Sequence, residues 1–529
     1  MEQTRRDFLK GAGVVAGLGA IAGASTLVGC SAPAEPEAFE TKYEADVVVA
    51  GAGIGGLAAA VSAAEAGSNV VLVEASGKVG GTSRFAAGAF GPRFGDDWEA
   101  CLKKAPMSER TLGKFVCDNW KPYCEWIDGL GLTTEPLGGS SPYLWMGGKR
   151  DAAQGSKSFT DEYLQQFGEI FTGMGGTTVL NTRAVKLTTD DQGTVNGVIC
   201  EDADGKFLIK AKAVIIATGG WQCNKEMCTK YIGRHADLTQ AQCVPYLDGA
   251  GIKMGVEVGA ELSRSFGSFY GHPQPWPMDD YMKGLDTKEG YEQVQNIDDV
   301  HVIFYGTTEH SIQGTGVYLN CDGKRFVDEG ISSSLVNQEV TQQHMSRAYL
   351  FFDEAIREVI RQTPFFNAAV LGGDRIDHMI ELGMPVVKAD TLEDLMTKIK
   401  TETMDGVTFN ATNAMATIAA YNEAAHAGAG ATMDVPHTGM IPAMPIENGP
   451  FYCIPVVGGI MATFGGLKIN TATQVISTAQ EPIPGLYAIP GAAGGVMNGD
   501  YWCVMSGYSI FGRESGKQAT DYAKSLTAE

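Results

Sequence analysis

Residues 45–57 read ADVVVAGAGIGGL, and this stretch decides the fold. A short run of β-branched residues predicts a buried parallel strand, and the glycines after it predict a tight turn into an Ala-rich helix. Gly51 turns the chain, Gly53 lets the backbone approach a pyrophosphate, and Gly56 lets the helix pack on the strand. The next strand, at residues 69–73, ends at Glu74, whose carboxylate can bind ribose hydroxyls. The stretch therefore predicts a dinucleotide-binding unit, and a fortuitous Gly-rich turn is the alternative.

The loop after Glu74 indicates which dinucleotide is bound. Residues 75–88, ASGKVGGTSRFAAG, offer backbone donors and small hydroxyls where a nicotinamide enzyme would continue into another strand and helix. The loop resembles the G-G-(N/T)-S segment of the fumarate reductase and ketosteroid dehydrogenase superfamily of flavoproteins, which bind FAD. Further segments resemble that family in the same order, namely 213–220 (AVIIATGG), 247–252 (LDGAGI), 320–329 (NCDGKRFVDE), and 484–488 with 494–495. The resemblance implies an α/β fold, in which a Rossmann-like FAD-binding domain carries an inserted α+β capping domain.

The resemblance also implies a set of FAD contacts. The glycine turn would hold the pyrophosphate, Glu74 the ribose, and the following loop the path from the phosphates to the isoalloxazine ring. Two strand residues would flank the adenine, and the last helix would present its backbone to the flavin pyrimidine. The contacts so predicted are Gly51, Ala52, Gly53, Gly55 and Gly56 in the turn, Glu74, then Gly81, Thr82, Ser83, Ala87 and Gly88 in the loop, Val185 and Ala217 at the adenine, Asp248 at the ribityl or phosphate region, Gly491, and Ser509 with Ile510 at the pyrimidine.

The N-terminus is typical of an export signal. Residues 4–10, TRRDFLK, precede an apolar stretch at 11–29, which is the order of a twin-arginine signal. Residues 27–30, LVGC, resemble a lipobox in which Cys30 becomes the lipidated first residue of the mature protein. Cleavage after Ala32 or Ala34 without a lipid, or an uncleaved anchor, are the alternatives. We predict a protein exported to the cell envelope and anchored by lipid to the outer face of the cytoplasmic membrane.

The rest of the chain divides by composition. Residues 271–277, GHPQPWP, are Pro-rich and aromatic, which is typical of a hinge or a cover over a site. Residues 96–126 are predicted to form a helix. The predicted divisions are the signal at 1–30, a linker at 31–43, the FAD-binding domain at 44–262 and 441–529, and the capping domain at 263–440.

Charge and cysteine content exclude several classes of partner and cofactor. A formal net charge of −22 argues against nucleic acid and against a bare anionic lipid surface. The 11 cysteines include no C-x-x-C pair and no C-x-x-C-H haem attachment, so neither haem nor another metal site is predicted. If the protein is a reductase, a separate haem or flavin carrier protein must therefore deliver its electrons.

Three substrate-facing positions differ from those of fumarate reductases. The resemblance implies that fumarate reductases have, at the position of Ser333, an arginine that donates the proton, and at the position of Met461 a histidine that binds a carboxylate. It places a second arginine within residues 494–502, and this sequence has no arginine there. Guanidinium and imidazole groups recognise carboxylates, so their loss argues against fumarate or succinate as the substrate.

Two tyrosines are the candidate catalytic residues. Tyr501 lies where the ketosteroid dehydrogenases have a tyrosine that hydrogen-bonds the substrate ketone, and a structural tyrosine is the alternative. Tyr318, just before the Gly-Lys-Arg-Phe turn, is the second candidate, as proton donor, and a core aromatic is its alternative. Glu309 is interpreted as structural, and His272 and His310 are weaker candidate acids.

These observations predict an exported FAD-dependent oxidoreductase. Its predicted reaction is reduction of an activated C=C bond in a small organic substrate such as an enone, an unsaturated acid or a steroid. Dehydrogenation of a ketone or 3-ketosteroid is the alternative reaction. A flavin electron carrier or binding lipoprotein without turnover is the alternative of another class.

Overall fold

The strand predicted before the glycine turn is present and central. The computed structural model describes residues 39–86, 88–136, 144–146, 159–276, 315–362, 376–401, 406–439 and 441–527. The chain divides into a unit Met1–Glu40, of which only residues 39 and 40 are described, and a unit Thr41–Glu529. The strands of the described residues are β1 (Thr41–Ala50), β2 (Val70–Val73), β3 (Ala89–Phe90), β4 (Thr134–Pro136), β5 (Leu144–Met146), β6 (Thr177–Val179), β7 (Arg183–Thr189), β8 (Val195–Asp202), β9 (Gly205–Ile216), β10 (Gln240–Ala241), β11 (Phe269–Tyr270), β12 (Gln274–Pro275), β13 (Val317–Leu319), β14 (Arg347–Asp353), β15 (Val387–Ala389), β16 (Phe451–Val457), β17 (Gly459–Ile460), β18 (Ala462–Thr463), β19 (Gln474–Ile476) and β20 (Pro482–Ala488).

The helices of the described residues alternate with these strands. They are α1 (Ile54–Glu65), α2 (Trp98–Lys104), α3 (Arg110–Gly129), α4 (Phe159–Gly173), α5 (Lys225–Tyr231), α6 (Ala250–Glu257), α7 (Ser333–Gln342), α8 (Glu354–Gln362), α9 (Ile376–Glu381), α10 (Leu392–Thr401), α11 (Ala411–His426) and α12 (Val504–Ser525). Within the described ranges, no helix combines the length and the apolar composition that a membrane crossing requires.

The main sheet is parallel at its centre, in the order β19-β20-β9-β1-β2-β6. Strand β1 pairs with β2 and β9 on its two sides, so that Val47 lies opposite Val70 and Ala213. Strands with neighbours on both edges and layers on both faces are buried on both sides, which explains the continuous apolar run. Val47, Val48 and Val49 accordingly have no exposed surface. The antiparallel hairpin β7–β8 attaches to β9.

A second sheet carries its own apolar core. Its order is β12-β16-β14-β13, with β15 beside β16, and all of its pairs are antiparallel. Helices α8 and α10 pack on this sheet, which makes it the α+β layer that the resemblance implied. Strand β16 belongs to it, although the sequence assigned residues 451–457 to the FAD-binding domain. The second sheet thus extends beyond residue 440, and the exact domain boundaries stay predictions.

One predicted helix is two helices. Residues 96–126 form α2 and α3, because Pro106 between them has no amide hydrogen for a helix and disfavours helical backbone in the residue before it. Each piece has its own N-cap: the Asp97 side chain accepts from the Ala100 amide, and the Glu109 side chain accepts from the amides of Thr111 and Leu112. The break places Lys104, the last residue of α2, close to the chain's C-terminal loop.

Candidate active site

The three motif glycines have different surroundings. A Cβ at Gly51, whose φ is +110°, would lie 2.3 Å from the Ala217 carbonyl oxygen, and a Cβ at Gly56 would lie 1.8 Å from the Gly51 oxygen. Both glycines are therefore required for packing. A Cβ at Gly53 would meet nothing closer than Ser83 Oγ at 4.0 Å. Gly53 is also the N-cap of α1, so it leaves open space at a helix N-terminus, where a pyrophosphate fits.

Glu74 holds the glycine turn in place. Its carboxylate accepts hydrogen bonds from the Ala52 amide at 2.8 Å and from the Ser76 amide and hydroxyl at 2.9 and 3.0 Å. Burial raises the pKa of Glu74. Ser83 Oγ accepts from the Ile54 amide at 3.3 Å, at the start of α1. The Ala52 amide, the Glu74 carboxylate and the Ser83 hydroxyl thus have hydrogen-bond partners within the protein. Their contacts with FAD stay predictions.

The loop after Glu74 is fixed by its own contacts. Residues 81–85 form a short 3₁₀ turn, and Thr82 Oγ1 accepts from the Val244 amide at 3.2 Å. Arg84 is anchored by Asp161, with Nε and Oδ1 2.7 Å apart. Gly88 has a φ of +89°, which favours glycine, and Ala87 lies outside the described residues.

Asp248 lies next to the predicted adenine end. Its Oδ2 is 2.8 Å from Nη2 of Arg183, which begins β7, the strand of the half-buried Val185. Its Oδ1 accepts from the Ala250 amide at the start of α6. The sequence placed Asp248 at the ribityl or phosphate region of FAD, and this contact stays a prediction. Ala217 continues β9, and its amide donates to the Ala50 carbonyl at 2.8 Å.

The contacts predicted near the flavin ring meet around α12. Gly491, with a φ of +101°, lies against Gly219 and the Tyr508 ring. It lines a small pocket together with Thr463, Phe464, Pro490, Ala493, Gly494, Val496, Met497 and Tyr508. Gly55 lies under Tyr508, because a Cβ there would be 2.7 Å from the Tyr508 carbonyl oxygen. Gly55 therefore lets α12 approach α1.

Ser509 and Ile510 lie in the second turn of α12. Backbone amides at this depth in a helix donate to carbonyls of the same helix, and only those of the first turn lack such a partner. The Ser509 hydroxyl also donates within the helix, to the carbonyls of Met505 and Ser506 at 2.9 and 3.0 Å. The amides that lack an intrahelical partner belong to residues 503–506 instead.

Tyr501 belongs to a hydrogen-bonded aromatic cluster. Its ring stacks on that of Tyr270, with centroids 4.3 Å apart and planes at 28°. The Tyr270 hydroxyl is 2.9 Å from His272 Nε2, and His272 Nδ1 is 3.3 Å from Ser333 Oγ. Burial lowers the pKa of His272 to about 3, so its imidazole is neutral at neutral pH.

Asp500 connects this cluster to two helices. Its Oδ2 is 2.5 Å from Lys104 Nζ, and its Oδ1 accepts from the Ser332 hydroxyl at 2.8 Å. Oδ1 also accepts from the Tyr501 amide at 2.7 Å. Since Lys104 ends α2 and Ser332 is the N-cap of α7, one carboxylate fixes the position of Tyr501 relative to both helices.

The three positions that differ from fumarate reductases lie together. Ser333 contacts His272, Tyr501 stacks on Tyr270, and the Met461 amide donates to the Tyr270 carbonyl at 2.7 Å. Tyr270 and His272 were largely missed in the sequence, where His272 was a weaker candidate. The signal that could have found them is their position at the GHPQPWP segment, which was predicted to be a hinge or cover.

Tyr318 lies elsewhere, in the core of the second sheet. It has no exposed surface, and its amide donates to Glu329 Oε1 at 3.1 Å. This position favours the alternative, a core aromatic. Asp328, Glu329 and His437 are spaced as metal ligands would be, but Arg325 already binds Glu329 with Nη2 and Oε2 2.5 Å apart. Glu309 and His310 lie outside the described residues.

Models of known protein families match the chain. One described as an FAD binding domain matches residues 135–504, which is more than half of the chain, and one described as an FAD dependent oxidoreductase matches residues 46–222. A third, described as a TAT (twin-arginine translocation) pathway signal sequence, matches residues 2–22. These matches confirm the predicted FAD, the oxidoreductase class and the export signal. Lipidation of Cys30, which lies outside the described residues, stays a prediction.

Individual proteins show the same similarity. The fumarate reductase (cytochrome) of Shewanella frigidimarina is 26% identical over 504 residues, which cover 90% of this chain and 77% of that protein. The vinyl phenol reductase of Lactiplantibacillus plantarum is 25% identical over 529 residues, covering 90% of this chain and 96% of that one. The structure of 3-ketosteroid delta1-dehydrogenase from Sterolibacterium denitrificans matches with a TM-score of 0.70 at 17% identity, over 91% of this chain and all of that one. The structural match shows the fold alone, and it confirms the predicted fold class.

Proposed function

The chain belongs to the FAD binding domain family, and from this premise we propose that it reduces an activated C=C bond in a small aromatic or carbonyl compound other than fumarate. Bound FAD supplies the hydride for such a reduction. The chain's own residues orient the substrate, polarise its activating group and deliver a proton to the neighbouring carbon. The names of the two relatives, reductases of fumarate and of vinyl phenol, support a C=C bond as the group that reacts.

One observation carries the choice of substrate. The positions at which fumarate reductases are expected to have two arginines and a histidine are occupied here by Ser333, Met461 and the loop of Tyr501, and these meet around Tyr270. None of the three carries a positive charge. The nearby Lys104 is salt-bridged to Asp500. A dicarboxylate would therefore lose the paired cations that bind it in fumarate reductases, whereas a ring would pack on the stacked tyrosines.

We assign Tyr501 the role of polarising the substrate. A phenol hydroxyl can donate to a carbonyl or hydroxyl oxygen, and Tyr501 is half-buried, so that its ring borders both protein and solvent. Its position is fixed by Asp500, as a donor directed at a developing negative charge requires. The alternative, that Tyr501 is structural, predicts no effect of removing its hydroxyl on turnover.

The amide contact to the flavin pyrimidine is proposed to come from the first turn of α12. Val504, Met505 and Ser506 carry amides without an intrahelical partner, unlike Ser509 and Ile510. The Gly507 amide already donates to the Cys503 carbonyl at 2.6 Å. A helix N-terminus stabilises negative charge, so it suits the end of the flavin that becomes electron-rich on reduction.

Electron supply and location complete the proposal. Because the sequence has no C-x-x-C-H haem attachment, the proposed electron donor is a separate haem or flavin carrier protein in the same compartment. The proposed location is the outer face of the cytoplasmic membrane, through a lipid on Cys30.

An anaerobic reoxidation screen tests this function. The FAD-bound protein is reduced with dithionite, and flavin absorbance is followed after addition of 4-vinylphenol, a cinnamate, an enone steroid or fumarate. We expect rapid reoxidation by at least one of the first three compounds and none above background by fumarate. Rapid reoxidation by fumarate alone would contradict the proposed substrate class, and no reoxidation by any compound would favour the non-catalytic carrier.

The reverse reaction is the second candidate, because the resemblance places Tyr501 where ketosteroid dehydrogenases have a ketone-binding tyrosine. A saturated 3-ketosteroid is added to the oxidised protein in the same cell. Bleaching of the resting flavin would support dehydrogenation over reduction.

A further inference from the structure

We propose that Tyr270 donates the proton to the substrate carbon and that His272 and Ser333 form the relay that resupplies it. The inference rests on the proposed function, since it assigns the proton donor that a C=C reduction requires. The sequence offered Tyr318 for this role, and Tyr318 is completely buried in the second sheet.

The three side chains form a continuous hydrogen-bonded row. Tyr270 Oη lies 2.9 Å from His272 Nε2, and His272 Nδ1 lies 3.3 Å from Ser333 Oγ. His272 and Ser333 are 3% and 6% exposed, whereas Tyr270 is half-buried and stacks on Tyr501. The row therefore leads from the nearly buried Ser333 to the aromatic pair at which we place the substrate.

Backbone contacts fix both ends of the row. Strand β11, which carries Tyr270, pairs with β18, so that Tyr270 lies opposite Ala462. The His272 amide donates to Gln242 Oε1 at 2.8 Å. At the other end, Gln338 of α7 donates to the Phe269 and Gly499 carbonyls at 3.0 and 2.7 Å. Helix α7, which begins with Ser333, is thereby held against both β11 and the loop of Tyr501.

The position of Ser333 explains why a relay is needed. Fumarate reductases are expected to have an arginine here that reaches the substrate itself, whereas a serine side chain is too short to do so. The Ser333 hydroxyl contacts His272 instead. The tyrosine one step further along the row replaces the guanidinium as the group that meets the substrate.

A neutral imidazole can pass the proton by exchanging tautomers. The Tyr270 hydroxyl hydrogen goes to the substrate carbon, while His272 Nε2–H goes to the phenol oxygen and the Ser333 hydroxyl hydrogen goes to Nδ1. Ser333 keeps 6% of its surface exposed and regains its hydrogen from a solvent water molecule, and the hydroxide that is left is neutralised by the buffer. The net result is one proton from water added to carbon, next to the carbon that receives the hydride, and no residue keeps a charge. Burial, which lowers the pKa of His272 to about 3, disfavours the imidazolium and favours this exchange.

Variants of the row test the relay with the best compound of the reoxidation screen. Tyr270→Phe is expected to lower kcat about 100-fold with little change in KM, because it removes a group that acts in the transition state. Ser333→Ala is expected to lower kcat, and Ser333→Thr, which retains the hydroxyl, is expected to restore most of it. Tyr231→Phe and His235→Gln are the matched controls, because each changes the same residue type outside the row and is expected to leave kcat unchanged.

Two further measurements separate a relay from a structural role. In mixtures of H₂O and D₂O, the wild-type rate should depend on deuterium content with the curvature of several moving protons, and that of Ser333→Ala should be linear. Nitrogen-15 NMR of the histidines, which needs no substrate, should show a neutral His272 between pH 5 and 8, identified by its absence in His272→Asn. Ser333→Ala should shift its tautomer balance.

The outcomes distinguish the relay from the reaction. If the wild type reduces a compound and Tyr270→Phe, folded and loaded with FAD, keeps its kcat, the relay is wrong and the proposed function stands. Equal rates for Ser333→Ala and Ser333→Thr would overturn the relay even if Tyr270→Phe failed to fold. If the wild type reduces no compound, the function and the relay both fail.

Discussion

Asp500 shows how a single residue organises the site. Its side chain is 5% exposed and that of Lys104 is 13% exposed, so the ion pair is largely removed from water. Burial lowers the pKa of Lys104, which Asp500 opposes. When one partner of a buried ion pair is removed, the other charge stays buried without a counterion. Its desolvation then destabilises the folded protein.

Asp500→Asn is therefore expected to destabilise the protein by about 3 kcal/mol, because the Lys104 ammonium stays buried without a counterion. Urea unfolding of the FAD-bound protein measures the loss. The same variant should lower turnover, since the carboxylate also holds the Tyr501 amide and the Ser332 hydroxyl.

An exposed pair in the same chain gives the control. Lys114 and Asp118 are 2.6 Å apart, but their side chains are 58% and 56% exposed. Asp118→Asn should thus change the free energy of unfolding by no more than about 0.5 kcal/mol. The double variant Lys104→Met with Asp500→Asn should recover part of the lost stability. Equal stability of Asp500→Asn and Asp118→Asn would mean that the buried pair contributes nothing.

At the scale of elements, the glycines in the turn between β1 and α1 have two different roles, which are packing of the helix and binding of the cofactor. A Cβ at Gly56 would overlap the Gly51 carbonyl, whereas a Cβ at Gly53 would enter open space. Gly53 also has an ordinary φ of −66°, which alanine adopts without strain.

Gly53→Ala is expected to leave the apoprotein's melting temperature unchanged and to weaken FAD binding by about tenfold or more, or about 1.4 kcal/mol. The physical reason is that the new methyl group occupies the space assigned to the pyrophosphate. Gly56→Ala should instead prevent soluble folding. Titration of apoprotein with FAD, followed by flavin fluorescence, measures the first effect, and undiminished affinity in Gly53→Ala would place the pyrophosphate elsewhere.

What the sequence predicted correctly was local. The strand, turn and helix at residues 45–65 follow from contiguous β-branched, glycine and alanine residues. The division at Pro106 was missed because apolar residues continue on both sides of it. The sheet that contains β16 was not predicted, because the apolar pattern of a strand does not determine which strands it pairs with. Strand β16 pairs with β14, which lies about a hundred residues earlier in the chain.

The site was only half predictable for the same reason. The glycines and Glu74 form one contiguous motif, and their neighbours are close in sequence. Tyr270, Ser333 and Tyr501 come from separate segments, and no local pattern brings a tyrosine, a histidine and a serine into one row. Tyr501 was predicted through a resemblance, whereas its partner Tyr270 required the β11–β18 pairing.

At the scale of the whole molecule, the type of export signal is consistent with the presence of an FAD-binding site. A twin-arginine signal matches residues 2–22, and export by that route in the folded state suits an enzyme that binds FAD before it leaves the cytoplasm. The proposed lipid on Cys30 would then keep it beside membrane-bound electron carriers.

Cys30→Ala tests the lipid anchor. The variant is expected to move from the membrane fraction to the soluble part of the envelope with unchanged FAD content, because acyl chains supply the membrane affinity. Mass spectrometry of the mature N-terminus of the wild type should show the acylated cysteine. Replacing Arg5 and Arg6 by lysine is the control, which should retain the protein in the cytoplasm. An unchanged membrane fraction for Cys30→Ala would contradict lipid anchoring.

Among the described residues, two segments connect the main sheet with the second sheet, and hydrogen bonds join the two segments to each other. The first segment contains β11 and β12, and the second segment contains β16 and β18. Ladders join β11 to β18 and β12 to β16. The connection is thus a short hydrogen-bonded ribbon that resists bending more than two independent linkers would. Tyr270 lies on this ribbon, and its partner Ser333 starts a helix of the other half. Because Gln338 fastens that helix to β11, a small shift of one half relative to the other would leave Tyr270 and Ser333 in contact through His272.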